Sequence, residues 1–440
     1  VKIAFVYMNN VGNVGRGAGY VYASILRNEY EVEFFDTAYV GIRELSVEVM
    51  TGGFDLLAIS STSLFFPAVL ELVKRVKKEI RGIKVLLGGI HATILGGEIL
   101  RENPLIDFVC VGEGESFIGD FLNNWKDENW ESVKNLCYRR DGRVMCNRMR
   151  EAEDLAELPE FPWGVFRRVV NEKGWIYVNA TRGCPFRCAY CCNGVYLEKY
   201  GRGYLRQRPV ESVIEEMKFL KEKYAPRLFY FGDEMIFTNK EYAVELFERI
   251  KKEIAVPYGF MTRVEYLDEE MMGVLKRTGC EYVAMGVECG NEEYRTKRLK
   301  RHCTNEQIVR AFQLCKREGI ETCSFNMIGW PTERDDELCW DTIKLNERAE
   351  PGEEQWTWFY PFPGTEMYRE CMEKGMIDGK VNTVSYHDGS VLTIHRDKPR
   401  NPKEYLKRLK NERKEIVDEK GVYTGECRYE GVREGETVVF

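Results

Sequence analysis

The chain has no apolar run of membrane-spanning length, no low-complexity tract and no repeat of solenoid period. It also lacks an excess of positive charge. A net charge of −7 gives no general electrostatic reason to bind nucleic acid or an anionic membrane, which leaves only a local basic patch for such partners. No export leader is legible, because Val1–Val6 reads as a strand, and the cytoplasm is the expected location. The 15 cysteines are an odd number without a secretion signal, which argues against a disulfide framework. Most are expected to be buried thiols acting as small hydrophobes. At 440 residues, 44% hydrophobic and 31% charged, the chain is a globular protein with material for two or three domains.

Within a first domain of residues 1–150, residues 1–125 alternate short apolar runs (Ile3–Tyr7, Val32–Phe35, Leu56–Ser60, Val85–Leu87, Phe108–Val111) with helical patterns such as Pro67–Ile80. That alternation predicts a doubly wound parallel sheet, which binds ligands beyond the carboxyl ends of its strands. Residues 134–148 read as a hairpin turning at Asp141-Gly142. Residues 151–170, acidic at first and carrying Pro159 and Pro162, read as a linker. Over 171–375 a second series begins. Its expected strands are Trp175–Asn179, Leu228–Phe231, Tyr258–Met261, Tyr282–Val287, Thr322–Ile328 and Gln355–Tyr360, with helices such as Val210–Tyr224, Lys240–Ile254 and Asn305–Glu318 between them. Six such units make a partial barrel, whose chemistry belongs at the carboxyl ends of its strands. Residues 376–440 form an extension with a charged helix at Pro402–Lys420 and a strand pair in the last twenty residues.

Cys184, Cys188 and Cys191 follow the first barrel strand in the loop Arg182-Gly183-Cys184-Pro185-Phe186-Arg187-Cys188-Ala189-Tyr190-Cys191-Cys192. Thiolates suit iron–sulfur clusters and zinc. Three of them on one loop can bind three irons of a cubane and leave the fourth open for chemistry. A four-thiolate zinc site normally brings a second close cysteine pair, which no other cysteines here form, and the place after a strand argues against chance spacing. Cys192 is surplus to a three-ligand set.

The CxxxCxxC loop with an aromatic before its last cysteine resembles the radical S-adenosylmethionine (SAM) superfamily, and the likeness spans nearly the whole chain. It implies a 4Fe–4S cluster whose open iron binds SAM, and one-electron cleavage of SAM to a 5′-deoxyadenosyl radical. Phe231-Gly232-Asp233-Glu234 stands where the family has its amino-group-binding motif. The usual Gly-Gly-Glu is replaced, so Asp233 and Glu234 are carried over as a pair, with a helix cap as the other reading of Asp233. Arg263 and Glu288, at the ends of the third and fourth strands, match segments lining the SAM pocket; a structural ion pair is the alternative for each. Asn326–Pro331 and the Pro363-Gly364-Thr365 turn also resemble family segments. The aromatics Trp330, Trp356, Trp358, Phe359, Tyr360 and Phe362 belong either to a substrate pocket or to the barrel core, with the core favoured.

Residues 1–150 resemble the cobalamin-binding domain that precedes many such barrels, on Gly88-Gly89-Ile90-His91 and Gly112-Glu113-Gly114-Glu115. The fold implied is α/β: an N-terminal Rossmann-like cobalamin-binding domain, a partial (β/α)6 TIM-type barrel and a small C-terminal α+β extension. Ser61, Thr62, Ser63, Gly88, Gly89, His91, Gly112, Glu113 and Gly114 are the implied cobalamin contacts. His91 is more simply a structural histidine than a cobalt ligand. The Asp-x-His-x-x-Gly motif that supplies a lower cobalt ligand elsewhere is absent from the Asn10–Gly19 loop, which leaves open a domain that binds nothing.

Together these features imply a cobalamin-dependent radical methyltransferase acting on an unactivated carbon of a lipid, peptide or small natural product, with a reductant such as ferredoxin or flavodoxin. Nucleic acid is not an expected partner. A non-methylating radical enzyme and a cobalamin or cluster sensor are the alternatives. A methylthiotransferase would need a second three-cysteine site, and the amino-terminal part offers only Cys110, Cys137 and Cys146, scattered between a strand end and a hairpin. Cys280, Cys289, Cys303 and Cys323 show no tight ligand spacing, so no auxiliary cluster is expected.

Overall fold

The computed structural model describes residues 1–379 and 385–420, with side chains as far as 411. The strand pair expected in the last twenty residues lies outside them. The first sheet contains β1 (Lys2–Tyr7), β2 (Glu31–Asp36), β3 (Leu56–Ser60), β4 (Lys84–Gly88), β5 (Phe108–Cys110), β6 (Leu136–Arg140) and β7 (Arg143–Cys146). Their order is β2-β1-β3-β4-β5-β6-β7, parallel through β5. The chain reverses direction across the sheet between β1 and β3, the place where such sheets take their ligands. The inner parallel strands β1, β3, β4 and β5 are largely apolar because helices cover both faces, such as Arg16–Arg27 on one and Phe66–Glu79 on the other, whereas the edge strand β2 carries Glu31, Glu33 and Asp36.

The expected hairpin becomes the antiparallel edge β6–β7. Asp141 (φ 49°) and Gly142 (φ 74°) both take the left-handed conformation that a two-residue turn of this hand requires. The register sets Cys137 opposite Cys146 at a Cα separation of 4.1 Å, and the two are disulfide-bonded. Most of the described cysteines are free thiols, as expected, and this pair is the exception: direct cross-strand pairing juxtaposes two residues nine apart in sequence.

The second sheet curls into a parallel half-barrel. Its strands are β8 (Trp175–Val178), then β11 (Leu228–Phe231), β12 (Tyr258–Thr262), β13 (Cys280–Glu288), β14 (Glu321–Ile328) and β15 (Glu353–Trp358), in the order β15-β14-β13-β12-β11-β8. Between β8 and β11, β9 (Thr181–Arg182) and β10 (Arg206–Gln207) form a short antiparallel ribbon. Alternation divides the barrel's side chains. Ile176, Val178, Phe229, Phe231, Phe260 and Val283 pack outward against the helices, whereas Trp175, Tyr230, Tyr282, Ala284 and Cys323 face inward as a second cluster.

Residues 151–170 are a packed strap rather than a loose tether. Phe161, Trp163 and Phe166 are buried in the barrel's core together with Tyr20 of the first domain, and Arg16 lies 4.1 Å from the Phe161 ring centroid. The Pro402–Lys420 helix docks Tyr405 and Leu409 on Trp356 and Trp358, which pack outside the barrel. Just before it, Lys398 pairs with Asp335 (2.9 Å), whose carboxylate accepts from the backbone of Gly329 (3.1 Å) and Trp330 (2.7 Å) after β14. Among the described residues, no helix is long and apolar enough to cross a membrane.

The tightest backbone approach in the first sheet is at Gly89, which has φ +91° and whose missing Cβ would stand 2.5 Å from the Ser61 carbonyl oxygen. Gly89→Ala is expected to cost about 1–3 kcal/mol in denaturant unfolding. Gly17→Ala, on an open helix face with nothing within 4 Å, is expected to be neutral or slightly stabilising.

Candidate functional site

Three adjacent loops leave the carboxyl ends of β3, β4 and β5. Ser61 donates its backbone N–H to the Gly88 carbonyl (3.2 Å), and the His91 N–H reaches the Ser61 carbonyl (3.4 Å). His91 is buried, with Nδ1 3.0 Å from Ser63 Oγ and its ring 4.1 Å from that of Phe66. Burial lowers its pKa to about 4, so the ring is neutral. The third loop joins through Thr93, whose hydroxyl accepts from the Gly112 N–H (3.0 Å). The structure thus gathers Ser61, Thr62, Ser63, Gly88, Gly89, His91 and Gly112 at one sheet edge.

The cysteine loop leaves the end of β8 and is tied at its middle: Ala189 donates to the Leu299 carbonyl and accepts from the Met367 N–H, both at 3.1 Å. Cys184, Cys188, Cys191 and Cys192 are partly exposed, unlike the other free cysteines among the described residues, which are buried. Burial pushes the Cys184 thiol up to about 11, reinforced by Cys191 and Cys188. Among the described residues, no three cysteine, histidine or carboxylate side chains are gathered to hold a single metal ion. Ligands of a cubane bind separate irons and need not converge on one point.

Arg263 lies against this loop, its guanidinium 3.8 Å from the Phe186 ring centroid and 3.6 Å from Cys188 Sγ, and paired with Glu265. Glu288 has φ 64° at the bulged end of β13 and stands 3.8 Å from Arg301. Burial raises its pKa, with Arg301 and a Tyr190 hydrogen bond opposing. Tyr190 is the aromatic before the last cysteine of the motif, so it ties the loop to β13.

Asp233 and Glu234 part company. Asp233 is fully buried and accepts from Ala180 N (3.0 Å), from the Thr181 N–H and from Thr181 Oγ1 (2.7 Å), which fastens the end of β11 to the start of the cysteine loop. In the structure the Asp233 carboxylate, expected near the SAM amino group, serves this anchor. Glu234 is exposed, with Oε2 3.4 Å from Gly183 N beside Cys184.

Glu113, expected among the cobalamin contacts, meets two arginines of the barrel. Its carboxylate takes Arg182 Nη1 at 2.9 Å and Arg206 in two-pronged fashion at 2.6 and 2.8 Å, while Glu115 takes Arg182 Nη2 at 2.6 Å. Burial opposes its ionisation, but Arg206 and Arg182 prevail and hold the Glu113 carboxyl below its usual range. The two carboxyl edges, one per sheet, therefore face each other across an ionic bridge.

Residues 178–342 match the family model of the radical SAM superfamily, and residues 8–122 match that of the B12-binding domain. The chain thus carries a B12-binding domain and a radical SAM domain in succession. Its cofactors are a 4Fe–4S cluster, SAM and cobalamin. It is 26% identical over 376 residues to an uncharacterized methyltransferase of Pyrococcus horikoshii, covering 83% of this chain and 81% of that one. It is 27% identical over 323 residues to the anaerobic magnesium-protoporphyrin IX monomethyl ester cyclase of Rubrivivax gelatinosus, spanning 69% of this chain and 56% of that protein. The radical SAM methyltransferase TsrM from Kitasatospora setae shares the fold, with a TM-score of 0.69 at 17% identity over 85% of this chain and 76% of that one.

The residues present fit these groups. His91 Nε2 and Thr62 Oγ1 are buried at the B12-binding edge without a hydrogen-bond partner, and an incoming polar ligand would satisfy both. The three soft thiols on one partly exposed loop fit an iron–sulfur cubane. The roles of Arg182, Arg206, Arg301 and Tyr200 escaped the sequence reading. Their roles depend on partners far along the chain, 69 residues from Glu113 to Arg182 and 93 from Glu113 to Arg206. The one local signal was the arginine of the Arg182-Gly183-Cys184 step.

Burial also raises the Asp233 pKa from 3.8 to about 7, against the pull of Thr181. The folded chain thus holds this proton more tightly than the unfolded one, so Asp233 costs stability as the pH rises from 3.8 towards 7. Unfolding free energies of the wild type and Asp233→Asn, followed across that window, are expected to show the wild type losing ground with rising pH.

Proposed function

We propose that this cobalamin-dependent radical SAM enzyme methylates an unactivated carbon. The observation that carries the reading is the apposition of two loop sets, the Cys184–Cys191 loop on the barrel and the Gly88–His91 and Gly112–Glu115 loops on the B12-binding domain, joined directly through Glu113. When bound, the cluster with SAM supplies a radical that abstracts hydrogen, and cobalamin supplies a transferable methyl group.

In this reading Cys184, Cys188 and Cys191 are the cluster ligands, and one iron is left for SAM. Glu234, exposed beside Cys184, is the carboxylate that meets the methionyl ammonium. Arg263 sets a positive charge against Cys188. Ser61, Thr62, Ser63, Gly88, Gly89, His91, Gly112 and Gly114 form the cobalamin-facing edge. The barrel's inward face bears Tyr177, Met261 and Phe325 in partly buried positions, and Tyr360, Phe362 and Tyr386 cluster at the last strand's exit. These support a substrate whose reacting part is apolar. Trp330, Trp356, Trp358 and Phe359 are buried packing residues and take no part. A reductant of the ferredoxin or flavodoxin class is required to charge the cluster.

The likeness to the Rubrivivax cyclase favours a second reading, in which the same machinery closes a ring without methyl transfer. Anaerobic reconstitution with iron and cobalt quantitation, followed by turnover with methyl-labelled SAM, separates the two. Label in the product is expected; deoxyadenosine formation with an unlabelled product selects the cyclase-type reading, and absence of cobalt sinks the methylation reading.

Replacing Cys184, Cys188 and Cys191 with Ala is expected to abolish iron binding and deoxyadenosine formation together. Glu234→Gln is expected to keep the cluster spectrum and raise the KM for SAM about tenfold, the loss of one charged hydrogen bond.

A further inference from the structure

The cysteine loop is an excursion from the β9–β10 ribbon. Arg182 of β9 lies directly opposite Arg206 of β10, and residues in such register present their side chains to one face. Both guanidiniums meet the one Glu113 carboxylate, so the two feet of the excursion are clamped by a single residue of the B12-binding domain. Arg206 also donates to the Glu153 carbonyl at 2.6 Å.

A second grip acts on the same loop. The Glu113 N–H donates to Tyr200 Oη at 2.9 Å, and Gly112, with φ +102°, leaves room for that hydroxyl where a Cβ would collide with it. Tyr200 belongs to the excursion and stacks with Tyr196 and Tyr204, at centroid separations of 6.4 Å each and near-parallel planes. Tyr204 in turn bonds Asn193 (2.7 Å), which follows Cys192. A continuous chain of contacts therefore runs from Gly112-Glu113, at the cobalamin edge, to the end of the cysteine motif.

We propose that Glu113 and Tyr200 are positioning residues that couple the two cofactor sites, so that cobalamin binding tightens SAM binding. The proposal rests on the assignment of cobalamin to the B12-binding edge and of the cluster to the cysteine loop. Holding the Gly112–Glu115 loop still also holds the feet of the cysteine excursion, which removes ordering entropy that SAM binding would otherwise have to overcome. Linkage makes the effect reciprocal: SAM must tighten cobalamin by the same factor.

The test uses the anaerobically reconstituted enzyme, with iron and cobalt quantified first. SAM affinity is measured by equilibrium dialysis with and without saturating hydroxocobalamin, and the paramagnetic resonance spectrum of the reduced cluster is recorded in both states. The wild type is expected to bind SAM about fivefold or more tightly when cobalamin is present, within the usual range of coupling between sites. In Glu113→Gln and in Tyr200→Phe the ratio is expected to fall towards one while iron content and cobalamin binding persist. Tyr200→Phe removes one hydroxyl and keeps the ring in its stack, so it carries the test even where Glu113→Gln unfolds the chain. A purely structural role would lower Tm and leave the ratio unchanged, and that result, or a wild-type ratio of one, overturns the proposal. Wild-type protein that takes up no cobalt or no iron overturns the functional reading instead, and the coupling with it.

Discussion

A carboxylate buried between domains is costly to desolvate, and Glu113 is held ionised there only because two arginines meet it at once. Such a bridge contributes little net stability compared with apolar packing, but its geometry is strict. The two-pronged fork of Arg206 and the single prong of Arg182 fit one carboxylate in one orientation. A second bridge, Arg16–Glu216–Arg208 with the Trp163 indole donating to Glu216 at 3.1 Å, repeats the device lower on the interface. Two buried ionic bridges and the aromatic strap between them fix how one sheet edge faces the other, and every statement about the site depends on that facing.

Within the barrel, charge near the cysteine loop is likewise matched in place. Arg263 has Glu265, Glu288 has Arg301 and Tyr190, and Asp233 has two backbone amides and a hydroxyl. Glu288 carries a left-handed backbone at a bulge, an unfavourable conformation for a residue with a Cβ, and it sits where β13 meets the motif's tyrosine. Glu234 departs from this pattern by being exposed. That exposure is why it, rather than its buried neighbour Asp233, takes the substrate-facing role in the reading above.

The curated relatives that this chain resembles include an uncharacterized methyltransferase and a magnesium-protoporphyrin ester cyclase. The apolar surface of the candidate site lies on the barrel's inward face and in the cluster of Tyr360, Phe362 and Tyr386. The C-terminal extension shapes it indirectly: Lys398 holds Asp335, Asp335 holds the backbone of Trp330, and Trp330 packs 6.1 Å from Tyr190 of the cysteine loop.

The sequence by itself determined the elements. Short continuous apolar runs separated by helical periods place most strands of both sheets to within a residue or two at their ends, because burial on both faces writes itself as continuous apolar residues. Asp141-Gly142 likewise determined its turn, and the Cys184–Cys191 spacing determined which loop carries the thiols. The tertiary structure decided which charges do what. Asp233 and Glu234 are adjacent in sequence and equal in chemistry, yet one is an anchor and the other faces outward, a difference made by strand-end geometry. Cys137 and Cys146 became a bonded pair through hairpin register. The place of Glu113 in the domain bridge was not legible because its partners are far away along the chain, and an ion pair, unlike a helix or a strand, leaves no periodic trace in the sequence that forms it.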